Sequence, residues 1–409
     1  MNVWSVRPGR GRKSAGGRGR QALNAAATAW AIALGCATAL GQRASDSPVR
    51  VRTAEELRRA VAAAKPGARI ELAAGEYAGG FSFVDLHGTA EKPIVIAAAD
   101  PEHPPLFLGG GTGIQLTDPA HVELRDLVLE RQTGNGLNVD DGGTFATPAR
   151  HVVLHGLRVR DVGPAGNCDG IKLSGVVDFR VEDCTVERWG SGGSAIDMVG
   201  CQRGSIERCA FRHSAEASNA NGVQLKGGTR DVAVRRSRFE HAGGRAVNVG
   251  GSTGLEYFRP PLAEWTGPRF EAKDIRVEGN TIVGGDAPVA FVGVDGAVFR
   301  FNTLYLPERW ALRILQENRE RDFVPCRDVE VADNLVVFRS EHWSEGGVNC
   351  GDATEPKTFR FARNAWFCSD APERTRAAVK LPASEIDGVY GVDPKFKDAA
   401  AGDLSPSRR

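Results

Sequence analysis

A bias of charge is the first thing missing. The chain has 409 residues, with 52 Lys+Arg against 51 Asp+Glu and a formal net charge of +1. That balance excludes a strongly basic nucleic-acid binder and an acidic disordered tail protein. No long apolar run follows the first 41 residues, so no later segment reads as a bilayer span. The cysteines lack the spacing of a metal knuckle. A Gly-rich phosphate loop, a nucleophile elbow and a His-Glu-x-x-His helix are all missing, which removes the sequence support for chemistries that need them. Helical periodicity is missing from about residue 120 onward. Glycine is what the chain has in excess. Its 50 glycines are about 12% of the residues against a usual ~7%, without collagen periodicity. Many turns follow.

The first twenty residues carry Arg7, Arg10, Arg12, Lys13, Arg18 and Arg20 and no acid. The stretch 22–40 is Ala-rich and uncharged. Residues 1–41 therefore read as a signal peptide, cut near Ala39 or Gly41. The expected location is secreted or periplasmic, with no membrane contact after cleavage. The alternative is a lipoprotein anchored at Cys36, in Ala33-Leu34-Gly35-Cys36. Past Cys36 come Cys168, Cys184, Cys201, Cys209, Cys326, Cys350 and Cys368. Mostly buried thiols are expected, and an exported chain leaves room for one disulfide.

Two short motifs recur through the rest. The first pairs an apolar strand with a small polar residue and a second apolar stretch, as in Val181-Glu-Asp-Cys184-Thr-Val186 and Val331-Ala-Asp-Asn334-Leu-Val336. The second alternates apolar and polar residues, as in Gly170-Ile-Lys-Leu173, Ala195-Ile-Asp-Met198, Gly222-Val-Gln-Leu225 and Ala246-Val-Asn-Val249. Two or three short strands in each repeat of about 22–32 residues indicate a solenoid of parallel strands. Leu157, Cys184, Cys209, Ser237, Asn280, Asn302, Asn334 and Asn364 then form an inward ladder, with the Asn run bonding side chain to backbone. Thr53-Ala-Glu-Glu56 is a capping box, and Leu57, Ala60, Val61 and Ala64 share a helical face. That helix reads as the plug of the open N-terminal end.

The plug helix, the segment Lys65-Pro-Gly-Ala-Arg-Ile-Glu-Leu-Ala-Ala-Gly-Glu-Tyr77 and the segment Gly88-Thr-Ala-Glu-Lys-Pro-Ile-Val-Ile96 resemble the pectin-lyase-like superfamily. The likeness is to its secreted bacterial members, including the chondroitinase-B and alginate-lyase branch. Asp393-Pro-Lys-Phe396 and Gly402-Asp403 resemble the ends of such proteins. The resemblance implies an all-β fold, a right-handed parallel β-helix with an N-terminal capping helix. It spans residues 50–404 and leaves 405–409 as a tail. The superfamily hosts lyases, hydrolases, epimerases and phage adhesins, so it does not fix a reaction.

A site on a solenoid needs outward side chains stacked on consecutive coils. The middle position of the second motif reads Asn138, Lys172, Asp197, Gln224 and Asn248, then Ala290, Arg313 and Asn349. The position before it reads Asn135, Asp169, Ser194, Asn221 and Arg245, and Lys226 lies two places further out. Asp169, Lys172, Asp197, Asn221, Gln224, Lys226, Arg245 and Asn248 are expected on one face. Lys is scarce elsewhere in this Arg-rich chain, and the later coils lose the pattern.

β-Elimination on an acidic polysaccharide needs a cation to neutralise the uronate carboxylate, a base for the adjacent C–H, and an acid for the leaving oxygen. Asp169, Asp197 and Asn221 are hard donors suited to Ca²⁺. Lys226 is the candidate base, with Arg245 lowering its pKa or clamping the substrate carboxylate. The chondroitinase-B branch has a catalytic Lys and an Arg about one coil later, to which Lys226 and Arg245 look similar. Its calcium-binding Glu pair would fall on Asn219 and Asn221, and its Arg nearer Val249. Asp169-Gly-Ile-Lys172-Leu-Ser-Gly175 resembles the Asn-Gly-Phe-Lys-Leu-Gly-Gly motif of a pectate-lyase family, which makes Lys172 a rival base. Two other readings stay open. Asp169 and Asp197 form the acid pair of a glycoside hydrolase, or the solenoid binds glycans without catalysis. In each reading the partner is a polysaccharide, acidic in the first; the resemblance implies a monomer.

The spacing widens between Ser237 and Asn280, which places a loop at 252–273. It holds Tyr257, Arg259 and Trp265, suited to sugar stacking and carboxylate binding or to packing the loop on the wall. The charged segment 317–327 reads as a solvated connection.

Overall fold

The computed structural model describes residues 47–407, apart from 165, 218 and 400. The leader and Cys36 lie outside the described residues. Three parallel sheets wind around one core, of 10, 13 and 12 strands, as a right-handed parallel β-helix. Each coil contributes one strand to each sheet in turn. In the central coil these are Ser194–Val199, Gln202–Glu207 and Ala210–Arg212. They are called the first, second and third sheets here.

The alternation read from the sequence explains the stack. Leu154, Val181, Ile206, Val234 and Val277 are neighbours in register on the second sheet, and all are buried. Each such side chain contributes about 1.5–3 kcal/mol of burial. Between the second and third sheets runs the expected inward ladder. Cys209 N–H donates to Ser237 Oγ at 3.1 Å, and Ser237 N–H to Asn280 Oδ1 at 2.9 Å. Asn280, Asn302 and Asn334 each donate backbone N–H and side-chain Nδ2 to the Oδ1 of the next Asn, at 2.9–3.0 Å. The ladder ends on a carboxylate, where Asn364 Nδ2 meets Glu385 Oε1 at 2.7 Å.

Helix Ala54–Ala62 is capped by Thr53, whose Oγ1 accepts from Glu56 N–H at 3.2 Å, and it buries Leu57 and Val61 against the core. A short strand, Val49–Val51, precedes it and pairs with Arg69–Leu72, so the second sheet begins before the plug rather than after it. At the other end Ser405 does not trail off the last coil. Asp403–Pro406 pairs antiparallel with Phe396–Asp398, because Gly402, at φ 80°, reverses the chain. Cys184, Cys201, Cys209, Cys326 and Cys368 are buried free thiols, and Cys350 is exposed. Burial pushes the Cys201 thiol up to about 12, so it is inert. Among the described residues no helix is long and apolar enough to cross a membrane.

Asn334→Ala strips partners from the buried Asn302 N–H and Phe299 C=O. The expected loss is about 3 kcal/mol, read as a lower urea midpoint at unchanged slope.

Candidate functional site

The strip read from the sequence lies on the first sheet, in the register expected. Asn138, Lys172, Asp197, Gln224, Asn248, Ala290, Arg313 and Asn349 form one outward ladder. Ser194, Asn221 and Arg245 form the ladder beside it. Strands approach closely at the start of each motif. A Cβ on Gly222 would lie 2.2 Å from the Ala246 carbonyl oxygen, so glycine is required there.

Four of these residues make one charged knot. Asp169 and Asp197 are 2% and 1% exposed. Lys172 Nζ bonds Asp197 Oδ2 and lies 3.4 Å from Asp169 Oδ2. Lys226 Nζ lies 3.1 Å from Asp197 Oδ1 and 3.2 Å from Gln224 Oε1. Asp169 also accepts from Ser194 N–H at 2.8 Å, while its own N–H donates to Asn135 Oδ1 at 2.6 Å. Burial, and then the Asp197 charge, push the Asp169 carboxyl up to about 6. Burial pulls Lys172 down, but the two carboxylates outweigh it and the net shift is upward. Lys172 is therefore held as an ammonium ion. That charge state is the one a proton donor needs, whereas the base its motif suggested would need the free amine.

Beside the knot lies a cleft of about 410 Å³ lined by Asn221, Gln224, Arg245, Asn248, Arg313 and Glu317, among others. Arg245 donates to Asn248 Oδ1 at 3.3 Å and pairs with Glu317 Oε1 at 3.3 Å. The guanidinium of Arg313 lies 4.8 Å from the Trp310 ring centre, and that of Arg309 4.1 Å from it. Burial, and next the Arg245 charge, lower the Arg313 pKa; two guanidiniums thus face one cleft, with Asp286 and Glu317 as the acids that line it. Sequence reasoning placed Arg313 in the ladder and passed over it because the pattern around it fades. It also took Glu317 for a solvated residue.

The insertion after Arg245–Gly250 does not join the cleft as a unit. Arg259 turns away from Arg245 and pairs with buried Asp141 at 3.0 Å, three coils back. Tyr257 is 60% exposed. Trp265 donates to the Pro260 carbonyl at 2.9 Å and packs 4.7 Å from the Phe270 ring, bordering a cavity at the edge of the second sheet. What ties the loop down is Glu271, fully buried, which nothing in the sequence pattern singled out. It accepts from Gly227 N–H at 2.8 Å, from Thr253 N–H and Oγ1 at 2.9 and 2.7 Å, and from Asn318 Nδ2.

No family model matches the chain, and no curated protein matches its sequence. Solved structures do. An alginate lyase from Paenibacillus sp. str. FPU-7 is 20% identical, with 74% of this chain and 99% of that chain covered and a TM-score of 0.50. Pectate lyase Pel9A is 13% identical over 86% of this chain and 79% of that one, TM-score 0.51. A GH136 lacto-N-biosidase from Eubacterium ramulus is 14% identical over 83% and 64%, TM-score 0.51. What they share with this chain is the fold, a right-handed parallel β-helix. At these identities the likeness carries the fold and nothing finer.

The calcium expectation meets a different chemistry. Asp169 and Asp197 face two lysine nitrogens, not an oxygen cage, and so do not fit Ca²⁺ as they stand. Among the described residues the group with cation-ligand geometry is Asp85, His87 and Asp118, whose ligand atoms lie within 4.8 Å of one another. It lies on the surface, outside the strip.

With a folded pKa of about 6 against an ordinary 3.8, Asp169 binds its proton more tightly in the folded state. Its contribution to stability is full at low pH and is lost as pH rises through about 6. Wild type is expected to lose roughly 2 kcal/mol relative to Asp169→Asn between pH 4 and pH 7. Paired thermal melts across that range check it.

Proposed function

We propose that the protein is an exported, monomeric polysaccharide lyase that cleaves a uronate-containing chain by β-elimination. One observation supports this above the others. Four basic side chains, Lys172, Lys226, Arg245 and Arg313, reach the surface of the strip, while Asp169 and Asp197 lie beneath them at 2% and 1% exposure. An anionic polymer suits such a face, and a neutral one gains little from it.

In this reading Arg245 and Arg313 hold the uronate carboxylate, and Gln224 and Asn248 bond neighbouring hydroxyls. Neutralising that carboxylate acidifies the C–H beside it. Lys226 takes the proton as the free amine. The electron pair forms the C=C bond, the C–O bond to the leaving sugar breaks, and the Lys172 ammonium supplies the proton that oxygen needs. Asp169 and Asp197 orient the two lysines. No step requires Ca²⁺.

A glycoside hydrolase is the second reading, favoured by one fact. Asp169, pushed up to about 6 beside another buried carboxylate, has the asymmetry of an acid–base pair. It requires both carboxylates to reach the sugar past the lysines.

Purified protein is incubated with alginate, pectate, chondroitin sulfate and dermatan sulfate, and the ultraviolet absorbance of the unsaturated uronate is followed. Absorbance is expected to rise and to fall by roughly 10²–10⁴ in rate in Lys226→Ala. New reducing ends without absorbance, lost in Asp169→Asn, move the assignment to hydrolysis. Binding with neither product leaves a glycan-binding solenoid.

A further inference from the structure

We propose that the outer face of the second sheet is a second glycan-binding groove, distinct from the catalytic strip, which grips a further stretch of the same polysaccharide. The choice of ligand rests on the lyase reading; the groove itself rests on separate observations. Three cavities, of about 600, 490 and 550 Å³, meet on this face, and Asp231 borders all of them. They lie across the turn at Gly200 and Gly227 from the site, and share no lining residue with the cleft at Arg245.

The repeat itself makes the groove. In successive coils His121, His151, Asp178, Arg203, Asp231 and Asp274 all take the left-handed conformation, with φ between 50 and 57°. Each kinks its strand at the same place, so polar side chains stand in a row along the solenoid axis. The His121 and His151 rings stack at 4.2 Å, and Arg203 grips Asp178 with two bonds of 2.8 and 2.9 Å. Beside the row the floor is small, with Gly204, Ser205 and Ala233 on adjacent coils. At about 4.8 Å per coil the row runs for roughly 25 Å, matched to an extended chain rather than to a small molecule.

Its chemistry points to hydroxyls. Asp231, Asp274 and Arg276 are exposed and, among the described residues, have no ion-pair partner within 4 Å. Donors and acceptors are therefore offered side by side, as a polyhydroxy chain that both donates and accepts requires. Gln202, 3% exposed, borders the cavity with its Nε2 unpartnered. Trp265 supplies an apolar ring at the rim, of the kind sugar faces pack against.

The full chain is run by affinity electrophoresis in gels holding alginate, pectate or chondroitin sulfate, and its turnover of polymer is compared with that of short oligosaccharides. Asp231→Ala/Arg276→Ala, both surface positions, is compared with wild type and Lys226→Ala. Thermal melting confirms that the variants fold. The double variant is expected to lose at least threefold in retardation and in polymer turnover while keeping its rate on short oligosaccharides. Lys226→Ala is expected to be retarded like wild type. A double variant that is retarded like wild type overturns the groove and leaves the lyase reading intact. Retardation that needs Asp231 and Arg276, with no cleavage of any polymer, overturns the lyase reading and leaves the groove. No retardation of wild type by any polymer overturns the groove.

Discussion

Everything in this molecule depends on the register between successive coils. Parallel pairing alone does not fix it, since a backbone ladder is satisfied equally well one step along. A slip by one residue would turn every buried Val and Ile outward, and that cost holds the register. The inward ladder adds a second lock. Cys209, Ser237, Asn280, Asn302, Asn334 and Asn364 sit at one place in their coils, and each Asn oxygen accepts from the coil before it. The site is a consequence of the same register. Lys172 stands opposite Asp197 because Ile171 and Leu173 are buried opposite Ile196 and Met198.

That dependence explains what could be read in advance. Alternation with a period of two and a repeat of two or three strands specify a stack, and the stack brings Lys172, Asp197, Gln224 and Asn248 into line although they are far apart in sequence. What alternation cannot carry is the direction of long side chains. Arg245 and Arg259 look equivalent as arginines near the same strip. One bends to Glu317 and the other runs back to Asp141. Glu271 was invisible for a related reason. It lies in an insertion with no repeat to compare it with, and its partners Gly227, Thr253 and Asn318 come from three separate segments. The charged stretch 317–327 looked solvated because composition describes the segment, whereas Glu317 and Asn318 are used one at a time.

The charges of the strip form two layers. Carboxylates this deeply buried are costly unless paired, and here both Lys172 and Lys226 lean over Asp197. The pairing works in both directions. It makes Asp197 tolerable below the surface, and it pins two flexible side chains whose ammonium groups would otherwise sample many rotamers. Asp169 is the member that receives less. It shares Lys172 at 3.4 Å and feels the Asp197 charge, which is why its proton is held to about 6. A layer of lysines over a base of acids is thus built from one strand motif repeated on three coils.

Repetition and insertion then divide the work. The repeat supplies flat ladders, in which one coil offers nearly the same surface as the next. The insertions break that symmetry. Glu271 binds the 252–273 loop to the turn at Gly227 and, through Asn318, to the segment that carries Glu317. Glu317 in turn positions Arg245 over the cleft. One buried carboxylate therefore links two irregular segments to the cation that faces the cleft. The bonds to Gly227 and Thr253 come from backbone N–H groups, and the bond to the second segment comes from the Asn318 side-chain amide. In the proposed reading, choice among sugars therefore falls to the insertions at 252–273 and 317–327, set against a scaffold that the repeat determines.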